Sequence, residues 1–135
     1  MKETEVVCAV IMIDNLVYCC KRSKQVKRAG FWEFPGGTVN EGEDKEEALK
    51  HYIEDELNTI ISIDGYLGTT EYVYNDENGE EKIILHAYLA TLLTGMLERK
   101  YHSEGLFMTF KRLKTLKLLP PDQEIVKILE AKYNN

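Results

Sequence analysis

Val6 to Ile13 is an almost unbroken apolar run, rich in β-branched side chains. A strand with one wet face would alternate; a run without a polar face predicts a strand buried on both sides of a sheet. Asp14-Asn15 supplies a turn, and Leu16 to Cys20 resumes the apolar pattern, so the two segments predict a hairpin. Lys21 to Arg28 is basic and polar and reads as a loop. Phe31-Trp32-Glu33-Phe34 is a short aromatic segment, halted by Pro35-Gly36-Gly37.

After Glu43 the period changes. Ala48, Leu49, Tyr52, Ile53 and Leu57 gather into one apolar stripe, which predicts a helix over 44–57. Acidic residues crowd its first turn, where the helix dipole favours them. Asn58 follows, a residue that tolerates the left-handed conformation closing many helices. Ile60 to Ile63 and Leu67 to Tyr74 read as two strands. Asp76-Glu77-Asn78-Gly79 is a turn signal, and Lys82 to Leu92 is the returning strand. Leu106 to Phe110 predicts a shorter strand. Ile125, Ile128 and Leu129, after Pro120-Pro121, predict a last helix over 122–132. The order implies an α/β/α sandwich of the α+β class, a mixed sheet between helices 44–57 and 122–132, in a single domain over 1–135.

Composition narrows the partners. With 17 basic and 23 acidic side chains the formal charge is -6. That balance disfavours duplex nucleic acid, which is bound through many phosphate-neutralising cations. An anionic small ligand stays open, because a bound divalent ion reverses the local field. Cys8, Cys19 and Cys20 are odd in number and sit in apolar runs, where a thiol packs as a small hydrophobe. No histidine lies near them at zinc-site spacing. Met1 to Glu5 lacks the pattern of a signal peptide, and no stretch reaches eighteen apolar residues. The expectation is a cytoplasmic protein, monomeric or homodimeric, with no membrane partner.

The chemistry is concentrated around Gly36-Gly37 and the helix behind it. Paired glycines let a backbone approach a ligand closely, and their carbonyls can meet a hard cation beside carboxylates. Asp55 and Glu56 stand about 100° apart around a helix, so both can flank one site. Like charges this close need water, a basic partner or a cation to offset them. A solvated acidic face is the competing reading for any such helix.

The longer motif weighs against that competitor. The stretch Gly37 to Thr59 resembles the Nudix box: Gly37 matches its first glycine, Glu43 its first glutamate, Ile53 its aliphatic position, and Asp55 and Glu56 its paired carboxylates. Trp32-Glu33-Phe34-Pro35-Gly36-Gly37 is similar to the lead-in of MutT-like members. The opening hairpin, Leu85-His86-Ala87-Tyr88 and Leu119-Pro120-Pro121-Asp122 extend the likeness over nearly the whole chain. The resemblance implies the Nudix fold and metal-dependent hydrolysis of a nucleoside triphosphate, or another nucleoside diphosphate derivative, to a monophosphate and pyrophosphate or a phosphorylated product.

The departures fall on charged positions. His51 stands at the family's arginine, Tyr52 at a metal-coordinating glutamate, Asp55 at a longer acid, Asn58 at a glycine and Thr59 at an aliphatic. A phenol with a reference pKa of about 10 cannot replace a carboxylate for magnesium at neutral pH. Two outcomes stay open. In one, a thinner site of the Gly36 carbonyl, Asp55 and Glu56 holds Mg2+ or Mn2+, with His51 hydrogen-bonding Glu43 or leaning towards the ion. In the other, Tyr52 fills the old cavity, and the domain binds a nucleotide or a protein partner with little or no turnover.

Outside the box, Arg22 resembles the arginine that MutT-like proteins place near substrate, and a guanidinium fork suits phosphate. Glu33 is expected near the site. Glu104 lies where relatives carry a loop glutamate acting as base or ligand, with His102 competing for that role and Glu104 favoured. Asp122 resembles the residue that reads the base, and it could equally cap the last helix. Of Tyr72, Tyr74, His86 and Tyr88, one or two are expected to form a stacking wall. The expected catalytic set is therefore Glu56, Asp55, Glu104 and His51, with Arg22, Glu33 and Asp122 on substrate.

Overall fold

The structure is a computed structural model that describes residues 1–95, 97–98 and 100–133. Strands β1 (Lys2–Ile13) and β2 (Leu16–Arg22) form the opening hairpin. Next come β3 (Trp32–Glu33), β4 (Gly36–Val39) and helix α1 (Lys45–Leu57). A long hairpin of β5 (Thr59–Asp76) and β6 (Gly79–Gly95) follows, then β7 (His102–Met108), α2 (Phe110–Leu113) and α3 (Pro120–Tyr133). The sheet runs β3-β2-β1-β6-β5, with β4 also paired to β1 and β7 to β2. It is mixed, because β1 is parallel to β6 and antiparallel to β2 and β4.

The continuous apolar run is explained by cover on both faces. Val7, Ala9 and Ile11 point into a cluster with Leu49, Ile53 and Leu57 of α1. Cys8 and Val10 point the other way, into a cluster with Ile125, Val126 and Leu129 of α3. Each fully buried Val, Leu or Ile contributes roughly 1.5–3 kcal/mol, so neither face can be uncovered cheaply. The α/β/α sandwich is therefore present. All three cysteines are buried and none forms a disulfide. Burial raises their thiols, which removes them as nucleophiles. Among the described residues no helix is long and apolar enough to cross a membrane.

Several boundaries differ from expectation. The two strands expected over Ile60–Ile63 and Leu67–Tyr74 are one strand, β5, whose register shifts at Ile60/Ile61, Ile63/Gly65 and Tyr66/Gly68 absorb the turn-like residues. Gly36–Val39, read only as a turn, pairs with β1 as β4. The last helix begins two residues early, at Pro120, since proline is tolerated in a first turn whose N–H groups have no helical partner. The four-residue α2, which lacks any long apolar period, was not foreseen; Thr109 caps it by accepting from the Arg112 N–H.

Candidate active site

Three local devices bring the polar residues together. Helix α1 starts at Asp44, whose carboxylate accepts the Glu47 N–H at 3.0 Å, and ends at Asn58 with φ 52° and ψ 47°. Ile53 and Leu57 pack against the sheet, and Glu56, next to Leu57, lies on the flank towards β4. Glycine allows β4 to lie against β1: a Cβ on Gly36 would stand 2.8 Å from the Cys8 Cα. On the other side, the Trp32 N–H donates to the Lys117 carbonyl and the Leu119 N–H to the Trp32 carbonyl. This tie delivers Asp122 to the Phe34 N–H, which donates to its Oδ2 at 3.0 Å.

Between these elements lies a cavity of about 270 Å³. Gly36, Gly37, Thr38, Glu56 and His102 line it together with Tyr74, Arg28, Leu85, Pro121 and Asp122. Arg22 and Glu33 also face it. Arg22 donates from Nη1 to both Glu33 oxygens, at 3.0 and 3.1 Å, and from Nε to the Lys27 carbonyl. Glu33 Oε2 also meets His102 Nε2 at 3.0 Å. Beside a carboxylate, that nitrogen carries a proton.

Burial dominates the electrostatics. It pushes the Glu56 carboxyl up to about 7; His102 opposes the rise, while Glu33 and Asp55 add to it. Asp122 is wholly buried, and desolvation holds it well above the ordinary carboxylate range, with Glu33 adding to the rise and the Phe34 N–H opposing it. Burial also pushes the Tyr74 phenol up to about 12. Among the described residues, four buried side-chain polar atoms have no hydrogen-bond partner: Glu56 Oε2, His102 Nδ1, Tyr74 Oη and Arg28 Nη2. All four belong to residues lining this one cavity. Unpaired buried polar atoms cost about 1–3 kcal/mol each, so their convergence marks a place built for a polar ligand.

Not every expected residue arrives there. Gly36, Glu56, Arg22, Glu33 and Asp122 line the cavity; Asp55, His51 and Glu104 do not. Asp55 and His51 are exposed. Glu43, proposed as a partner for His51, instead accepts the Asn40 N–H at 2.7 Å. Glu104 lies on β7 rather than on a loop and pairs with Lys21 at 3.4 Å, with 49% of its side chain exposed. His102, only 8% exposed, holds the inward position. Tyr52 lays its ring over Gly37 and donates its hydroxyl to the Thr38 carbonyl at 2.7 Å. Of the four aromatic candidates only Tyr74 reaches the cavity. Tyr88 packs under α1, His86 is held by Glu5 and Thr69, and Tyr72 is exposed. Arg28 was missed, because nothing in its loop sequence announces that it turns inward.

The sequence profile of the NUDIX domain matches residues 2–129. This chain belongs to the Nudix family. Among its Nudix relatives is the CTP pyrophosphohydrolase of Escherichia coli strain K12, 29% identical over 131 residues, covering 97% of this chain and 92% of the relative. The 8-oxo-dGTP diphosphatase of Buchnera aphidicola subsp. Schizaphis graminum is 32% identical over 105 residues, 78% of this chain and 74% of that protein. Among solved structures, the E. coli ORF135 protein superposes with a TM-score of 0.80 at 27% identity, covering 97% of this chain and 91% of that one.

Nudix proteins typically require a divalent cation, and the residues present can be tested against one. Among the described residues no three His, Cys, Asp or Glu side chains converge on a single point. The stranded Glu56 oxygen nevertheless fits a cation, beside the Gly36 backbone that lines the same cavity, while Asp55 stays outside it. Magnesium usually takes one or two carboxylates, retains waters and accepts substrate phosphate oxygens. A thin protein donor set meets that demand.

Proposed function

We propose that this Nudix chain hydrolyses a nucleoside triphosphate, or another nucleoside diphosphate derivative, to a monophosphate and pyrophosphate or a phosphorylated product. The observation that carries this reading is the convergence of all four stranded polar atoms on one cavity, which Glu56 shares with Gly36 and Gly37. The activities named for the E. coli and Buchnera relatives support it. Glu56 and the Gly36 carbonyl would hold Mg2+ or Mn2+, whose chemistry is neutralisation of the charge that builds on the phosphate chain. Glu33 fixes the tautomer and angle of His102, and Arg22 fixes Glu33. His102 Nδ1 then takes a proton from the attacking water, a role suited to imidazole near neutral pH. Asp122 meets the nucleobase.

The test is a nucleotide screen with magnesium and manganese in parallel, reading released phosphate and pyrophosphate. Pyrophosphate release from at least one nucleoside triphosphate is the expected result. Saturable binding with no turnover of any nucleotide would instead support a binding role, the reading favoured by the Tyr52 ring over Gly37.

Tyr52 also yields a gain-of-function prediction. Combining Tyr52→Glu with His51→Arg supplies the acid and base absent from the helix, and should tighten metal binding about 10–100-fold. Turnover should rise with it. Losing the hydroxyl bond to Thr38 should cost about 1 kcal/mol, so the double variant should remain folded. Its effects are measured as a pair, because neighbours in one network do not add. Unchanged metal affinity in a folded double variant would show that the site no longer accepts that acid.

A further inference from the structure

Two residues that line the cavity, Arg28 and Tyr74, are given no role by the hydrolytic reading. Arg28 leaves its loop in a left-handed conformation, φ 56°, and lays its guanidinium carbon 3.5 Å from the centre of the Tyr74 ring. Its Nη2 faces Asp76 Oδ2 at 3.7 Å, too long for a hydrogen bond, so the ion pair leaves the N–H groups on that nitrogen unspent. The Tyr74 hydroxyl beside it is buried and equally unpaired. A bulky residue with positive φ is uncommon and is held only when its surroundings insist. Here the surroundings are the Tyr74 ring and Asp76, and the outcome is an unpaired donor on each of two stacked side chains.

We infer that Arg28 and Tyr74 form a reading clamp that selects nucleobases presenting a carbonyl oxygen next to an unprotonated ring nitrogen. The chemistry follows from the inventory of groups. Arg28 offers N–H donors only, and Tyr74 offers an O–H. Asp122, buried and with one oxygen already accepting the Phe34 N–H, adds a third polar group to the cavity lining. Cytosine, through O2 and N3, and guanine, through O6 and N7, present paired acceptors of this kind; adenine places an amino donor beside its ring nitrogen. A stacked guanidinium is also planar and oriented, so it can serve a flat base edge where a lysine could not. The inference rests on the proposed nucleotide reading and adds the base-selecting residues to it.

The experiment is calorimetric binding of CMP, GMP, AMP and inorganic tripolyphosphate to wild type, Tyr74→Phe and Arg28→Lys. Tyr74→Phe keeps the ring and removes one donor, so CMP and GMP should weaken about three- to tenfold, while AMP and tripolyphosphate stay within twofold. Arg28→Lys should show the same selective loss. A third arm alters the ligand: 3-deaza-CMP and 7-deaza-GMP lack the ring acceptor and should bind wild type several-fold more weakly than their parents. Equal loss across all ligands, tripolyphosphate included, would make Arg28 a phosphate contact and overturn the clamp. No loss in any variant or deaza analogue would likewise overturn it. If wild type binds neither nucleotide nor tripolyphosphate, the nucleotide reading itself falls and the clamp with it.

Discussion

Replacing Gly36 with alanine should cost about 3–5 kcal/mol of stability, enough to unfold a domain of ordinary marginal stability on mild warming. The new Cβ would overlap the Val7 carbonyl oxygen and stand 2.8 Å from both the Val7 carbonyl carbon and the Cys8 Cα. Those are main-chain atoms of β1, which cannot retreat because β6 holds its other edge from Lys2 to Ile11. No rotamer relieves such a clash. Gly42→Ala makes the contrast: its φ is 85°, but nothing lies within 4 Å of its Cβ, so only local backbone strain of about 1 kcal/mol is expected. Urea unfolding of the two variants measures both. A Gly36→Ala midpoint equal to that of Gly42→Ala would mean that β4 does not pair with β1 in the register Gly36 to Cys8.

How far the site could be read in advance depended on which physical rule placed each residue. Val6 to Ile13 announced burial on both faces, because a doubly covered strand must lose its polar positions, and α1 and α3 supply that cover. Asp55 and Glu56 were legible as neighbours on a helix. Which of them turns inward was not, since that depends on how α1 is rolled against β1 and β5. The exchange of Glu104 for His102 has a sharper cause. Strand parity puts residues 102 and 104 on one face, but the ladder pairs Lys21 with Glu104 and Arg22 with His102. Two residues of β7 thus span one step of β2, and the irregularity there re-aims the chain. His102 is turned to Glu33, and Glu104 is left with Lys21 at the surface. Arg28 escaped notice for a similar reason: a single left-handed residue inside a basic loop redirects one side chain without altering any periodic pattern.

Glu56→Gln should lower turnover about a thousandfold or more, since a metal-anchoring acid supplies several kcal/mol of transition-state charge stabilisation. Substrate binding should change much less, because the proposed base contacts Asp122, Arg28 and Tyr74 are untouched. The same substitution has a second signature, readable in chelator without any substrate. Burial raises the Glu56 carboxyl from 4.5 to about 7 in the folded chain. Below pH 4.5 both folded and unfolded states carry the proton, and the group is neutral to stability. Between 4.5 and 7 the unfolded chain releases the proton while the folded chain keeps it, so stability falls as pH rises, and the full cost of about 3 kcal/mol is reached above 7. Glutamine removes the ionisation, so the metal-free variant should match wild type near pH 4.5 and exceed it at pH 8. Added magnesium should raise the wild-type melting temperature at pH 8 far more than at pH 5, and should leave the variant nearly unmoved, because only the ionised carboxylate gains a partner. Equal magnesium stabilisation of both proteins at pH 8 would place the cation elsewhere and separate Glu56 from the chemistry.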